Sequence, residues 1–237
     1  MEPWINKTQL SFSQIGLNVF GVAAGTSFQR LLPGCQSVVV IGNGGRQMWT
    51  HFIEYLQADQ RRFYDSQHPL DDFIEHHIGL VDPTPPPSRR WIRCAATENT
   101  FIDFRSLARQ AGLGLQSHMG LIIHPEYGLW ISFRAAILTT EQLPLTEPVT
   151  NNSPCYDCPK YCEKNCIGAA FVDTQFSINR CSKFHKESYL CHKQCNSRAA
   201  CPVGIQHQHS EVQQCFHSSL SLGRKQLDQF LKDAQKQ

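Results

Sequence analysis

Eight of the chain's eleven cysteines lie within 48 positions, from Cys155 to Pro202. The first four, Cys155, Cys158, Cys162 and Cys166, are separated by two, three and three residues; the second four are Cys181, Cys191, Cys195 and Cys201. Thiolates are soft ligands that suit iron–sulfur clusters and zinc. Eight is the number needed to hold two four-iron clusters by four thiolates each, and the chemistry would then be electron transfer. Zinc is the structural alternative. Zinc knuckles pair two Cys-x-x-Cys arms per metal, whereas this stretch holds one such arm, Cys155 with Cys158; His185 and His192 are the residues that would complete a mixed site.

The last cysteine precedes a proline, Cys201-Pro202, as in the bacterial ferredoxin run. In two-cluster ferredoxins the fourth cysteine of each run ligates the other cluster. On that rule the expected sets are Cys155, Cys158, Cys162 and Cys201 for one cluster, and Cys181, Cys191, Cys195 and Cys166 for the other. Cys35, Cys94 and Cys215 are left over and are expected to be buried or incidental thiols. The spacing departs from the standard run: Cys158 to Cys162 is one residue too long, and Cys195 to Cys201 is two too long. Basic residues outnumber acidic ones here, seven (Lys160, Lys164, Arg180, Lys183, Lys186, Lys193, Arg198) to four (Asp157, Glu163, Asp173, Glu187). Such an excess offsets the negative charge of a thiolate-bound cluster, and a basic solvated surface is the plainer reading.

The elements that must position these residues are legible in outline. The 237 residues suffice for one large domain or two modest ones, and 41% hydrophobic with 18% charged residues is an ordinary globular composition. A net charge of +2 does not argue for a nucleic-acid partner. The first residues lack a cationic start followed by an apolar core, and no run of 18 apolar residues occurs, so a cytoplasmic protein with no membrane span is expected. In a reducing compartment eleven cysteines point to metal ligation, and an odd count argues against a complete disulfide framework.

A first helix and a short strand at Asn18–Val22 precede a buried strand, Gln36–Ile41, of β-branched residues. Gly42-Asn43-Gly44-Gly45 follows, read as a turn before a helix that begins near Arg46; it lacks the spacings of the known phosphate-binding loops. Met48, Phe52, Tyr55 and Leu56 share one helical face, and Pro69 opens a further helix to Ile78 that carries His76 and His77. A strand at Trp91–Ala95, a helix near Phe101–Ala111 and strands at Gly120–His124 and Leu129–Leu138 complete a first domain over residues 1–150. Residues 139–154, with three prolines, mark the boundary. A ferredoxin-like domain over 151–210 and a helical tail over 211–237, with Leu227, Phe230 and Leu231 as its apolar stripe, follow.

Two stretches together resemble a known family. Ala111-Gly112-Leu113-Gly114, with Leu121-Ile122-Ile123-His124-Pro125-Glu126-Tyr127-Gly128-Leu129-Trp130, resembles the cobalamin-binding core of epoxyqueuosine reductases. The run from Ala136 to Pro148 ahead of the cysteines, and Cys166-Ile167-Gly168-Ala169-Ala170, are similar to the same family. The core is shared with reductive dehalogenases and with CblC cobalamin-processing proteins. The stretches Ile123–Leu138 and His68–Ile78 resemble the CblC version at least as closely.

The resemblance implies an α+β fold in which a nitroreductase-like α/β core is followed by a small ferredoxin-like, cysteine-rich domain. It implies two 4Fe–4S clusters that feed electrons to a cobalamin, with flavin or zinc as alternatives on the same core. The cofactor-binding residues it implies are Gly112, Leu113, Gly114, His118, His124, Pro125, Tyr127, Gly128, Trp130 and Arg134. Arg134 matches an arginine whose implied role in CblC is to bind the glutathione carboxylate. Where the reductases carry a catalytic aspartate, thirteen residues before Ala111, this chain has Glu98, a candidate general acid one methylene longer. The partners implied are a corrinoid, an electron donor such as a reduced flavodoxin or ferredoxin, and glutathione. The function implied is a cobalamin-dependent reductase, or alternatively a corrinoid carrier or activator.

Overall fold

The computed structural model describes residues 3–94, 102–150 and 153–234. The chain forms two compact units: residues 1–115 with 131–150, and residues 116–130 with 151–237. The fold is mixed α+β.

The first unit is built on a four-stranded antiparallel sheet in the order β1 (Val19–Ala24), β2 (Ser37–Gly44), β6 (Ile131–Thr139), β3 (Arg89–Arg93). Helices α1 (Pro3–Gln14), α2 (Gln47–Ala58), α3 (Arg61–Tyr64), α4 (Pro69–Val81) and α5 (Phe104–Gln110) accompany it. After α5 the chain leaves through β4 (Leu115–Gln116), gives β5 (Ile122–Ile123) to the second unit, and returns as β6. All eight residues of β2 are buried, as expected of an uncharged β-branched strand in the middle of a sheet. Met48, Phe52 and Leu56 on α2 are fully buried at helical spacing, and Phe104, Leu107 and Ala108 form the buried face of α5. The Asp103 side chain caps α5 by accepting from the backbone N–H groups of Arg105 and Ser106.

Three details depart from the sequence reading. First, β2 does not stop at Ile41. It runs through a bulge at Ile41/Gly42, and Asn43 pairs with Ser132 in β6, so the glycine-rich stretch is strand and not a turn. Asn18 holds its end, accepting the Gly44 N–H at 2.7 Å. Second, the proline-rich stretch after β6 is stitched to the sheet. Leu143 donates its N–H to Ser37 Oγ at 2.9 Å, and Thr146 exchanges hydrogen bonds with the backbone of Val22 on the outer strand. Its backbone groups therefore cover a sheet edge that would otherwise be bare. Third, in the C-terminal helix Leu227 and Leu231 are buried, whereas Phe230 is exposed, so the stripe is narrower than expected.

The second unit has little regular structure of its own. It contains β5, α6 (Tyr161–Lys164), a small hairpin of β7 (Phe171–Val172) and β8 (Gln175–Phe176), α7 (Ile178–Glu187), α8 (Tyr189–Lys193), α9 (Asn196–Ala199), α10 (Glu211–Ser218) and α11 (Leu220–Ala234). Serines cap three of these helices: Ser177 for α7, Ser188 for α8 and Ser210 for α10. No helix of the described residues is long and apolar enough to cross a membrane.

Candidate functional site

All eleven cysteines are free thiols. Eight of them, all in the second unit, fall into two sets of four, and each set draws on both sequence groups. Cys155, Cys158, Cys162 and Cys201 line one cavity with Met119, Ile123 and Leu129. Cys166, Cys181, Cys191 and Cys195 line another with Ala170, Phe176 and Phe184.

The first set is assembled by short-range features. Ser153 Oγ accepts the Cys155 N–H, and Lys160 takes a left-handed conformation (φ 58°) that turns the chain into α6, where Cys162 sits on the first turn. Lys160 is the middle residue of the lengthened Cys158–Cys162 interval, and its ammonium returns to the Cys155 carbonyl. The distant member, Cys201, arrives through α9. This single helical turn occupies the lengthened Cys195–Cys201 interval and carries Arg198. Arg198 donates from Nε and Nη2 to the Leu129 carbonyl at 3.0 and 2.6 Å, and its guanidinium lies 4.6 Å from the centre of the Trp130 ring. Both spacing irregularities are thus spent on a residue that tethers the first set.

The second set is placed by helix starts. Cys181 lies in the first turn of α7, its N–H bonded to the Ser177 carbonyl. Cys191 donates its N–H to Ser188 Oγ at 3.3 Å, and Cys195 occupies the position before α9. Helix N-termini offer N–H groups and a positive dipole end, which favour thiolates.

Backbone N–H groups point at the sulfurs. His118 donates to Cys155 Sγ at 3.4 Å, and Ala170 to Cys166 Sγ at 3.3 Å. Burial pushes the Cys162 thiol up to about 11, against a lowering backbone N–H at Glu163; Cys155, Cys201 and Cys158 add to the rise. Cys181 is raised by burial first and then by Cys195, Cys166 and Cys191. Burial likewise raises Cys195 and Cys201, with backbone N–H groups opposing it. Cys162 and Cys201 in one set, and Cys181 and Cys195 in the other, resist ionisation unless a cationic core sits beside them. Among the described residues no three His, Cys, Asp or Glu side chains converge closely enough to hold a single ion. Two sets of four thiols match in number the ligands of two four-iron cores, and the N–H···S bonds suit such cores.

Of the three remaining thiols, Cys35 and Cys215 are buried, but Cys94 is exposed just beyond β3. His185 lines the second cavity, with its ring 5.0 Å from that of His192. His76 and His77 lie edge to face, and burial lowers His77 to about 4.

The residues expected to bind a corrinoid divide between the units. In the second unit His118 is drawn to the first cavity: its ring stacks on Phe171 at 5.1 Å and bonds Glu163 at 3.1 Å. His124 spends Nδ1 on the turn it begins, accepting N–H groups from Glu126 and Tyr127 at 3.1 and 3.3 Å. Pro125 is exposed, and Tyr127 packs on His207. Gly128 faces Gly204 at positive φ, and a Cβ on Gly128 would overlap the Val203 carbonyl. Trp130 is fully buried, between Arg198 and His209. Neither Gly204 nor Arg198 stood out as a site residue, because each acts only through a partner some 70 residues away in sequence.

In the first unit Gly112 has a φ of 68° and abuts the Glu147 carbonyl, Leu113 is buried, and Gly114 also has positive φ. Arg134 Nε donates to Asn43 Oδ1 at 2.8 Å. Among the described residues Arg134 forms no ion pair, and Arg134 Nη2 and Asn43 Nδ2 are buried donors without an acceptor. Burial lowers the guanidinium to about 10, opposed by Cys94 and Asp71. Among the described residues no carboxylate is bonded to this strand arginine, and its surroundings are short of acceptors. Glu98 lies outside the described residues.

Comparison with known proteins follows this geometry. No family model matches. The chain is 26% identical over 167 residues to an epoxyqueuosine reductase of Synechococcus sp. (strain RCC307), covering 67% of this chain and 48% of that one. It thus spans about half the length of the curated relative it matches. Three solved structures share the fold. Epoxyqueuosine reductase from Bacillus subtilis superposes with a TM-score of 0.57 at 16% identity, over 87% of this chain and 66% of that one. The B12-trafficking protein CblC of C. elegans gives 0.59 at 11%, over 94% and 95%. The reductive dehalogenase NpRdhA gives 0.54 at 12%, over 94% and 35%. The chain is similar in sequence to epoxyqueuosine reductase, and its α+β fold is that of the three groups the sequence resembles.

Proposed function

We propose that this chain is an iron–sulfur oxidoreductase that works with a corrinoid in a reducing cytoplasm. The observation that carries the proposal is the gathering of eight cysteines, in the second unit, into two four-thiol cavities with N–H groups aimed at the sulfurs. Cys155, Cys158, Cys162 and Cys201 would hold one 4Fe–4S cluster, and Cys166, Cys181, Cys191 and Cys195 the other. When bound, the clusters supply single electrons and the corrinoid supplies a reducible cobalt. The chain's own part is to exclude water around the sulfurs with Met119, Ile123, Leu129, Phe176 and Phe184, and to set the clusters' charge environment through backbone N–H groups. The buried donors of Arg134 and Asn43, which lack an acceptor among the described residues, fit a ligand bearing amide or carboxylate oxygens, which a corrinoid or glutathione would provide.

The reaction class is reductive chemistry on a cobalamin upper ligand or on a small organic substrate. The fold shared with the B12-trafficking protein CblC over nearly its whole length fits a cobalamin as the ligand handled. A corrinoid carrier that is kept reduced by its clusters is the second reading; it would show the same cofactors without turnover.

Anaerobic purification tests the proposal directly. About eight iron and eight sulfide per chain are expected, with a broad visible absorbance that dithionite bleaches. Added cobalamin should then shift to its base-off spectrum. A colourless protein containing zinc would refute the proposal; clusters without a corrinoid shift would redirect it to flavin.

A further inference from the structure

None of the ten residues of helix α7 is buried. Its sequence, Ile178 to Glu187, places Arg180, Lys183 and Lys186 three residues apart, on one arc of the helix. Cys181 and His185, four apart, occupy the other side and line the second thiol cavity. Among the described residues none of the three cations forms an ion pair. The same surface exposes large apolar groups: Ile178, Phe184, Tyr189 and Leu190 are 61%, 38%, 57% and 59% exposed, and Ile167 stands beside them on the cavity. Lys193 adds a further cation, lying 4.9 Å from the centre of the Tyr189 ring. A solvated charged face explains free lysines, but not five exposed apolar side chains among them at the rim of a thiol cavity.

We propose that the α7–α8 face is the docking surface for a small acidic electron-carrier protein, which delivers electrons to the second set of cysteines first. The proposal rests on the cluster reading above. Unpaired cations would attract the carrier over a Debye length or so, and the apolar groups would hold it once water is expelled. Phe184 and Ile167 both line the cavity and reach the surface, so a carrier seated here lies against the cavity wall. The step is balanced simply: one electron leaves the reduced carrier and enters the iron–sulfur core, with no bond of this chain made or broken.

The test uses the full chain with its clusters, prepared anaerobically, and an acidic reduced flavodoxin as probe. Charge reversal, R180E/K183E/K186E, should slow reduction by flavodoxin on the order of tenfold at low ionic strength. Reduction by a small neutral deazaflavin photoreductant should be unchanged, and the wild-type rate with flavodoxin should fall as salt is added. Neutralisation, R180Q/K183Q/K186Q, should slow the reaction by less and guards against a variant that fails to fold. Iron and sulfide are counted in every preparation. A wild-type chain free of iron would overturn the cluster reading and this proposal with it. Iron-replete variants reduced by flavodoxin at the wild-type rate would overturn the docking surface alone. Unchanged flavodoxin rates together with loss of tRNA stem-loop binding would assign the face to RNA and also overturn it.

Discussion

Single residues decide which thiols act together. Cys201 stands 35 residues beyond Cys166 in sequence, yet it shares a cavity with Cys155, Cys158 and Cys162. Cys201→Ser should therefore remove the first cluster and spare the second, lowering iron from about eight to about four per chain. The spectrum of the remaining cluster should be that lost when Cys181 is replaced instead; loss of the signal that depends on Cys181 would sink the grouping. Lys160 is the residue that lengthens the first spacing, and it brings an ammonium group to the rim of the same cavity. Removing a cation near a negatively charged cluster disfavours its reduction. Lys160→Met should lower the first cluster's potential by on the order of tenfold in the one-electron equilibrium, about 59 mV, with the second unmoved. A redox titration followed by electron paramagnetic resonance checks this, and equal shifts in both clusters would refute it.

At the scale of elements, the lengthened spacings are structure and not noise. The two added residues between Cys195 and Cys201 are absorbed by the turn α9, whose Arg198 grips the Leu129 carbonyl and covers Trp130. The loop Tyr127-Gly128 meets Val203-Gly204 backbone to backbone nearby, and both glycines have positive φ. Gly128→Ala adds a methyl group where the Val203 carbonyl already lies, in a conformation that alanine resists. It should cost at least about 2 kcal/mol, read as a lowered unfolding midpoint. A midpoint within experimental error of wild type would show that the loops can part without loss. The Pro69 opening of α4 and the apolar stripe Met48, Phe52 and Leu56 on α2 were readable in advance because they are local. The strand character of Asn43 was not readable, since glycines on either side signal a turn and only pairing with Ser132 across 89 residues outweighs that signal.

Across the molecule, the two units differ in what stabilises them. The buried apolar residues lie mostly in the first unit; among the described residues the second has nine, Met119, Ile122, Ile123, Leu129, Trp130, Ala170, Cys215, Leu227 and Leu231. A unit with so small a core would lean on the metal centres proposed for it, because binding to the folded state alone is folding free energy. Stripping the iron anaerobically with a chelator should abolish amide-exchange protection in α6 to α9 and leave β1, β2 and β6 protected. Equal protection in both units after iron loss would refute this dependence. The chain alone determined the number and soft-donor character of the candidate thiols, because composition and spacing are written locally, and its motifs carried the resemblance to cobalamin-handling reductases that implied the α+β class. Tertiary structure decided that residues 116–130 join the cysteine-rich unit, and that Arg134 and Asn43 keep buried donors without an acceptor among the described residues. These outcomes depend on contacts between positions far apart in sequence, where the closing of long loops and the burial of polar groups outweigh any local preference.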